Sequence, residues 1–375
     1  MLRIKYMVIK EFLQALRDFR MRGFIFGAPV IMLLVFGYAA TNDVQHVATA
    51  VYDLDNSVGS RELVSRFLKS KYFDVVAYVA DDASARDLLD RGQARVVLRL
   101  DRGFENDLRA GRTAQLQMLV DGTDSNTAGV VLGYAARITG DFAQEKLRLR
   151  LKRLAGTLRP PGQVTLASRA WFNENLESRN YFVPGIIAIL LALLALLLTS
   201  LAVVREKELG TIEQIMVTPI TPLEFILGKT VPFAIICFID VLVVTTIAVF
   251  WFQVPIRGSV ALLLGCSALY LLTALGVGLL ISTVSETQQQ AMITTFFFFM
   301  PTIMLSGFMF PVANMPRLFQ WLTLLNPMRH FLVIIRAIFL KGAGAAILWP
   351  QMLALAGLGV ATLFLAVRRF HKTLS

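Results

Sequence analysis

Cysteine is nearly absent from this chain of 375 residues, which has two, Cys237 and Cys266. Both lie inside apolar runs, where a thiol packs as a small hydrophobe and no disulfide framework can form in the polar parts. Histidine is as scarce. His46, His330 and His371 fall in three separate segments, with no cysteine or acidic cluster at ligand spacing, and so suggest no metal site. A phosphate-binding loop is missing too. Gly228-Lys229-Thr230 imitates its end, yet the position five residues before Gly228 is Leu223, where the loop needs a glycine for its backbone to wrap phosphate. On this reading the chain binds no ATP, holds no cofactor and carries no residue set for bond chemistry, so it is not an enzyme. Charged residues make up only 17% of it, and neither repeats nor low-complexity tracts occur.

Apolar sequence is what the chain has in excess. It is 56% hydrophobic with a mean hydropathy of +0.62, and spans of about 20 apolar residues recur, which excludes a soluble globule. The net charge of +11 gathers largely at the tails, in residues 1–23 and 368–375, as expected of cytoplasmic flanks; nucleic acid is not an expected partner. Apolar spans at 24–40, 182–204, 230–252, 259–282, 291–310 and 346–367 predict an α-helical polytopic membrane protein with six transmembrane helices and both termini cytoplasmic. That parity places 42–180 and 311–345 outside and 205–229 inside.

Within residues 1–23, Ile4, Val8, Phe12, Ala15 and Phe19 recur at near-helical spacing, offset from Lys5, Lys10 and Arg17. They predict an interfacial amphipathic helix. This segment is too long for the leading part of a signal peptide, so 24–41 reads as an uncleaved first transmembrane helix.

Residues 42–180 are a different material, with 18 of the 26 acidic residues of the whole chain. Strand-like runs at 48–53, 72–79, 95–100 and 115–120 alternate with helical patterns at 58–70, 82–91 and 103–110. A longer helix follows at 124–154, so the segment predicts an inserted extracytoplasmic α/β domain with its own core. Residues 181–375 then form a five-helix transmembrane region.

Four local features invite a functional reading beside a plainer one. The stretch Asp121 to Gly129 could offer backbone donors to an anion, or simply cap the helix that follows. Asp240 lies mid-span, where an ionised carboxylate must face protein or water; it either lines a substrate or proton path or bonds a neighbouring helix. Phe296 to Phe299, followed by Pro301, Gly307 and Pro311, describe an aromatic helix that breaks, facing lipid or forming an apolar gate. Ala188, Ala192, Ala195 and Thr199 on the second span, with Ala274, Gly278 and Ser282 on the fourth, form small-residue faces suited to close helix contact.

R-E-K-E-L-G-T-I-E-Q from Arg205 to Gln214 and L-S-G-F-M-F-P from Leu305 to Pro311, with Met315-Pro316 and Asn326-Pro327 after them, give nearly the whole chain a layout that resembles the ABC-2 type permease family. A-V-Y-D-L-D-N-S from Ala50 and D-G-T-D-S-N-T-A from Asp121 resemble its subgroup with a large extracytoplasmic domain, found in bacterial multidrug or xenobiotic efflux. The resemblance implies an exporter half in the bacterial inner membrane. Its partners would be a cytoplasmic nucleotide-binding ATPase subunit, which holds the ATP and Mg, and a second permease, alike or different. From its size and position, the outer domain would receive or guide cargo, or dock a periplasmic adaptor protein.

By the same resemblance, 205–224 is a coupling helix that meets the ATPase through Arg205, Glu206, Lys207, Glu208, Gly210, Thr211 and Glu213. Residues 311–340 form an outer re-entrant segment. Asp240, Phe296, Phe299, Phe308 and Phe310 are the candidates for the translocation path or gate. Two rival classes stay open: an ion-coupled secondary transporter using Asp240, and a non-transporting receptor or assembly platform.

Overall fold

A computed structural model of the chain describes residues 2–17, 19–39, 46–155, 171–173, 177–210 and 221–373. It divides into two compact units, Met1–Asn42 with Arg169–Ser375, and Asp43–Ser168.

In the Asp43–Ser168 unit, strands β1 (Val47–Asp53), β2 (Phe73–Tyr78), β3 (Val96–Leu100) and β4 (Leu116–Val120) form one sheet in the order β2-β1-β3-β4. β1 lies parallel to β2 and β3, while β4 returns antiparallel on β3. Side chains alternate across the strands with period two. Val51, Val96, Leu98 and Leu100 face one side, packed with Phe67, Phe104 and Phe142 from helices α4 (Val58–Lys69), α6 (Phe104–Ala110) and α7 (Ser125–Ala155). Ala50, Tyr52 and Val97 face the other, under Ala85 of α5 (Asp82–Asp90). Phe67 meets the Phe73 ring edge-on at 5.1 Å.

The acidic motifs of this unit serve its turns. Asp55 accepts backbone N–H bonds from Gly103 at 2.7 Å and Glu105 at 3.0 Å, while Glu105 accepts one from Gly59, so the starts of α4 and α6 hold each other. Burial opposes ionisation of Asp55, but these bonds and one with Ser57 outweigh it and lower its pKa. Asp124 accepts from the Thr127 amide at the start of α7, which is the capping alternative for the Asp121–Gly129 stretch.

The other unit is helical, because an apolar run in lipid can satisfy its backbone only within itself. The amphipathic N-terminal helix α1 (Leu2–Arg17) is followed by the short α2 (Phe19–Arg22), a π-helical turn Gly23–Gly27 and α3 (Ala28–Ala39). Beyond the other unit come α8 (Ser178–Glu208), α9 (Pro222–Phe250), α10 (Val260–Val284), α11 (Gln288–Met304), α12 (Arg317–Leu322), α13 (Pro327–Arg336) and α14 (Ala345–Thr373). α8 is the hub of this unit and packs against α3, α9, α10, α11 and α13. The small-residue faces do meet: a Cβ at Gly278 of α10 would come within 1.8 Å of the Thr199 hydroxyl on α8. Tyr270 of α10 stacks on Phe331 of α13 at 4.3 Å.

Six membrane-length helices were expected, and the count requires correction. Among the described residues four are long and apolar enough to cross: Ser178–Glu208, Glu224–Phe250, Val260–Val284 and Ala345–Arg369. A fifth is gained if Arg317–Leu325 and Pro327–Lys341, bent by 85° at their junction, are one span. The spans expected at 24–40 and 291–310 are the shorter apolar helix Gly23–Ala39 and the 17-residue α11. α11 stops early for a backbone reason. Pro301 cannot donate within the helix, and Gly307 at φ +84° turns the chain away from it. The Thr302 carbonyl near its end accepts instead from the Asn326 side chain at 2.8 Å, at the junction of the bent pair.

Candidate functional site

The polar stretch between the second and third spans begins on α8 and ends on α9; of its expected contact residues, Thr211 and Glu213 lie outside the described residues. The others do not form one exposed charged face. Glu208 and Gly210 are exposed, and Arg205 and Lys207 are half-buried. Lys207 reaches the chain end of α10, donating to the Thr283 carbonyl at 3.1 Å and the Ser285 carbonyl at 3.3 Å. Glu208 accepts a bond from Gln288 at the start of α11.

Glu206 is only 6% exposed and points inward. Its carboxylate accepts from Lys229 Nζ at 2.6 Å, and the same ammonium donates to Glu11 at 2.7 Å. Glu206 is thus turned away from the chain's exposed surface. In the sequence Lys229 belongs to an incomplete phosphate-loop pattern. It is instead a cation shared by three elements, α1, α8 and α9. Burying an ammonium requires compensating charge, and two carboxylates supply it.

No sequence pattern announces this cluster, since Glu11 and Lys229 are 218 positions apart. The amphipathic character of α1 was the available signal. Its buried Glu11 interrupts the apolar face beside Met7, which packs on Gly228. A fourth charge, Lys10, stands 3.8 Å from Glu206 with its side chain 59% exposed.

The expected path residues are scattered. Asp240 is 1% exposed, and its Oδ1 has no hydrogen-bond partner among the described residues. Phe299 is buried, whereas Phe296 and Phe310 are exposed. Phe308 packs edge-on against Phe182 at 5.8 Å and over Gly185 of α8. The structure thus brings Phe308 to α8, but does not gather the five residues around one space.

His330 sits between the Leu324 carbonyl and the Gln351 side chain, and both cysteines are buried and unpaired. Among the described residues no three His, Cys, Asp or Glu side chains could hold a metal ion.

Comparison with known proteins bears on the whole chain. A family model described as "ABC-2 family transporter protein" matches residues 20–368. The chain is 35% identical to the "Probable multidrug ABC transporter permease YbhR" of Escherichia coli K12, over 93% of each protein. It is 31% identical to the "Probable multidrug ABC transporter permease YbhS" of the same strain, over 91% of this chain and 89% of that one. Its identity to the E. coli K12 "Inner membrane transport permease YhhJ" is 31%, over 87% of this chain and 85% of that one.

Proposed function

The chain belongs to the ABC-2 family of transporter proteins and is a permease component, and from that premise we propose that it works as an exporter half driven by ATP hydrolysis on a separate cytoplasmic subunit. The observation that supports this is the match along nearly the full length to proteins named as transporter permeases. Cargo follows by likeness to the relatives named for multidrug transport: drugs or other amphipathic compounds, moved across a bacterial inner membrane. Gly23–Ala39 and α11, each about 25 Å long at 1.5 Å per residue, lie at the short end of crossing length and complete six spans. Both termini then face the cytoplasm and the Asp43–Ser168 unit lies outside, where an adaptor could dock. The 311–340 segment dips in from that side.

Coupling runs through the polar stretch between α8 and α9, where Glu208, Gly210, Thr211 and Glu213 offer the contact. Glu206, Lys229 and Glu11 transmit it. A push on the loop displaces the ends of both spans and α1 together, and the permease pair rocks between inward-open and outward-open states.

Affinity purification in mild detergent tests the reading. A nucleotide-binding subunit co-purifies with the wild type and is lost from Glu208→Lys/Glu213→Lys while elution volume and helicity stay unchanged. Full retention by that variant places the contact elsewhere. The isolated Asp240 carboxylate favours a second reading, ion-coupled transport. Proteoliposome uptake that needs no ATPase and stops in Asp240→Asn selects it.

A further inference from the structure

Beside the Lys229 cluster, a cavity of about 70 Å³ opens between α8 and α9. Its lining is graded. On α8, Leu198, Leu201, Ala202 and Arg205 line it at i, i+3, i+4 and i+7, a single helical stripe about 10 Å long. On α9, Lys229 and Phe233 line it one turn apart, and Glu11 of α1, Met21 of α2 and Gln288 of α11 complete the lining, the Glu11 carboxylate being neutralised by Lys229. The two helices run in opposite directions, yet both place their cation at the same end, next to the α8–α9 loop, and their apolar side chains at the other.

The two cations are not equivalent. Lys229 is taken by Glu11 and Glu206. The Arg205 side chain forms no hydrogen bond or ion pair among the described residues. Glu208, one turn along, is exposed and holds Gln288. The cavity therefore presents a planar guanidinium whose donors have no partner among the described residues, at the polar end of an apolar wall. Such a fork matches a carboxylate or phosphate, and it repels a cation.

We propose that this cavity binds the anionic head of an amphiphile, with Arg205 bonded to the carboxylate or phosphate and the first carbons of the chain along Leu198, Leu201, Ala202 and Phe233. The site rests on the permease reading for its purpose, but not for its chemistry. The ligand has two sources of one chemistry: an anionic phospholipid resident in the leaflet, or an anionic amphipathic cargo at the start of its path.

The test uses the full chain alone, without any ATPase, in phosphatidylcholine nanodiscs with radiolabelled dodecyl phosphate. Wild type binds it saturably; Arg205→Ala weakens binding roughly ten- to hundredfold, as loss of a charged hydrogen-bond pair does, and Arg205→Lys restores part of it. Arg102→Ala, in the Asp43–Ser168 unit, changes nothing. Ala202→Phe, which fills the apolar end, reduces binding with Arg205 intact and serves if Arg205→Ala misfolds. Displacement by phosphatidylglycerol added to the nanodiscs identifies a resident lipid, and its failure identifies cargo; either supports the site.

Three results overturn it. These are no saturable binding, equal binding by Arg205→Ala and Ala202→Phe, or equal competition by dodecyltrimethylammonium or inorganic phosphate. Because the ATPase is absent, failure here leaves the coupling reading untouched, and full retention of the ATPase by the Glu208/Glu213 variant leaves this site untouched.

Discussion

Replacing Lys229 with methionine removes the cation that Glu11 and Glu206 share. The two carboxylate oxygens bonded to Nζ can be no more than about 5.3 Å apart, so two unit charges left there repel by about 3 kcal/mol at an effective dielectric of about 20. Truncating one member of a buried pair costs about 3–5 kcal/mol in general, the same range. This far exceeds the effect of Lys10→Ala, whose exposed contact with Glu206 is worth at most about 1 kcal/mol. α1 should therefore leave α9 in Lys229→Met and stay in Lys10→Ala.

Disulfide trapping reads this directly. A Cβ at Gly228 would lie 3.1 Å from Met7 Cβ, close to the usual Cβ separation of a disulfide, roughly 3.5–4.5 Å. In a background of Cys237→Ala/Cys266→Ala, Met7→Cys/Gly228→Cys should cross-link rapidly. Adding Lys229→Met should slow the reaction by roughly a hundredfold, the factor that about 3 kcal/mol sets on a docking equilibrium. Adding Lys10→Ala should change it by severalfold at most. Equal rates with and without Lys229 would show that apolar packing alone docks α1, and would refute the shared-cation argument.

Phe67→Ala, at a site 0% exposed and edge-on to Phe73, should destabilise the Asp43–Ser168 unit by about 3–5 kcal/mol, read as faster amide exchange in β1 and β3. The Glu62 carboxyl is held below its ordinary value of 4.5, first by the bond from Lys146, against burial, and then by Arg66. Its contribution is complete above that ordinary value and lost as pH falls through the folded value; Glu62→Gln should cost less than about 1 kcal/mol at pH 7 and nothing in acid. A Gln variant with unchanged acid sensitivity would contradict this. Gly278→Val should drive α10 off Thr199 and lower thermal stability in detergent by about 1–3 kcal/mol; an unshifted melting curve would mean the contact is slack.

The long spans were legible because a run such as Ile186 to Leu198 permits one solution in lipid. The sheet elements were legible from alternation, and β1, β2, β3 and β4 lie within two residues of the expected runs. Strand order was not legible, because alternation fixes which face a side chain takes and not which neighbour a strand takes. The span expected at 291–310 was overread at its end, since apolar composition continues past Met304 although Pro301 and Gly307 end the helix. The loop at Arg205 to Gln214 was found by motif, but its charges were treated as equivalent. Only packing separates Glu206, taken by Lys229, from Glu208 at the surface, and Arg205 beside the cavity from Lys207 bound to carbonyls of α10.

The side-chain amide at position 326 explains how an apolar helix can end near a proline. A carbonyl abandoned there has no water to turn to, and every such orphan weighs against insertion. By lending its NH₂ to Thr302, Asn326 makes α11 and the kinked pair a single hydrogen-bonded unit. Neither can be lengthened, trimmed or transplanted into another bundle without taking the other along.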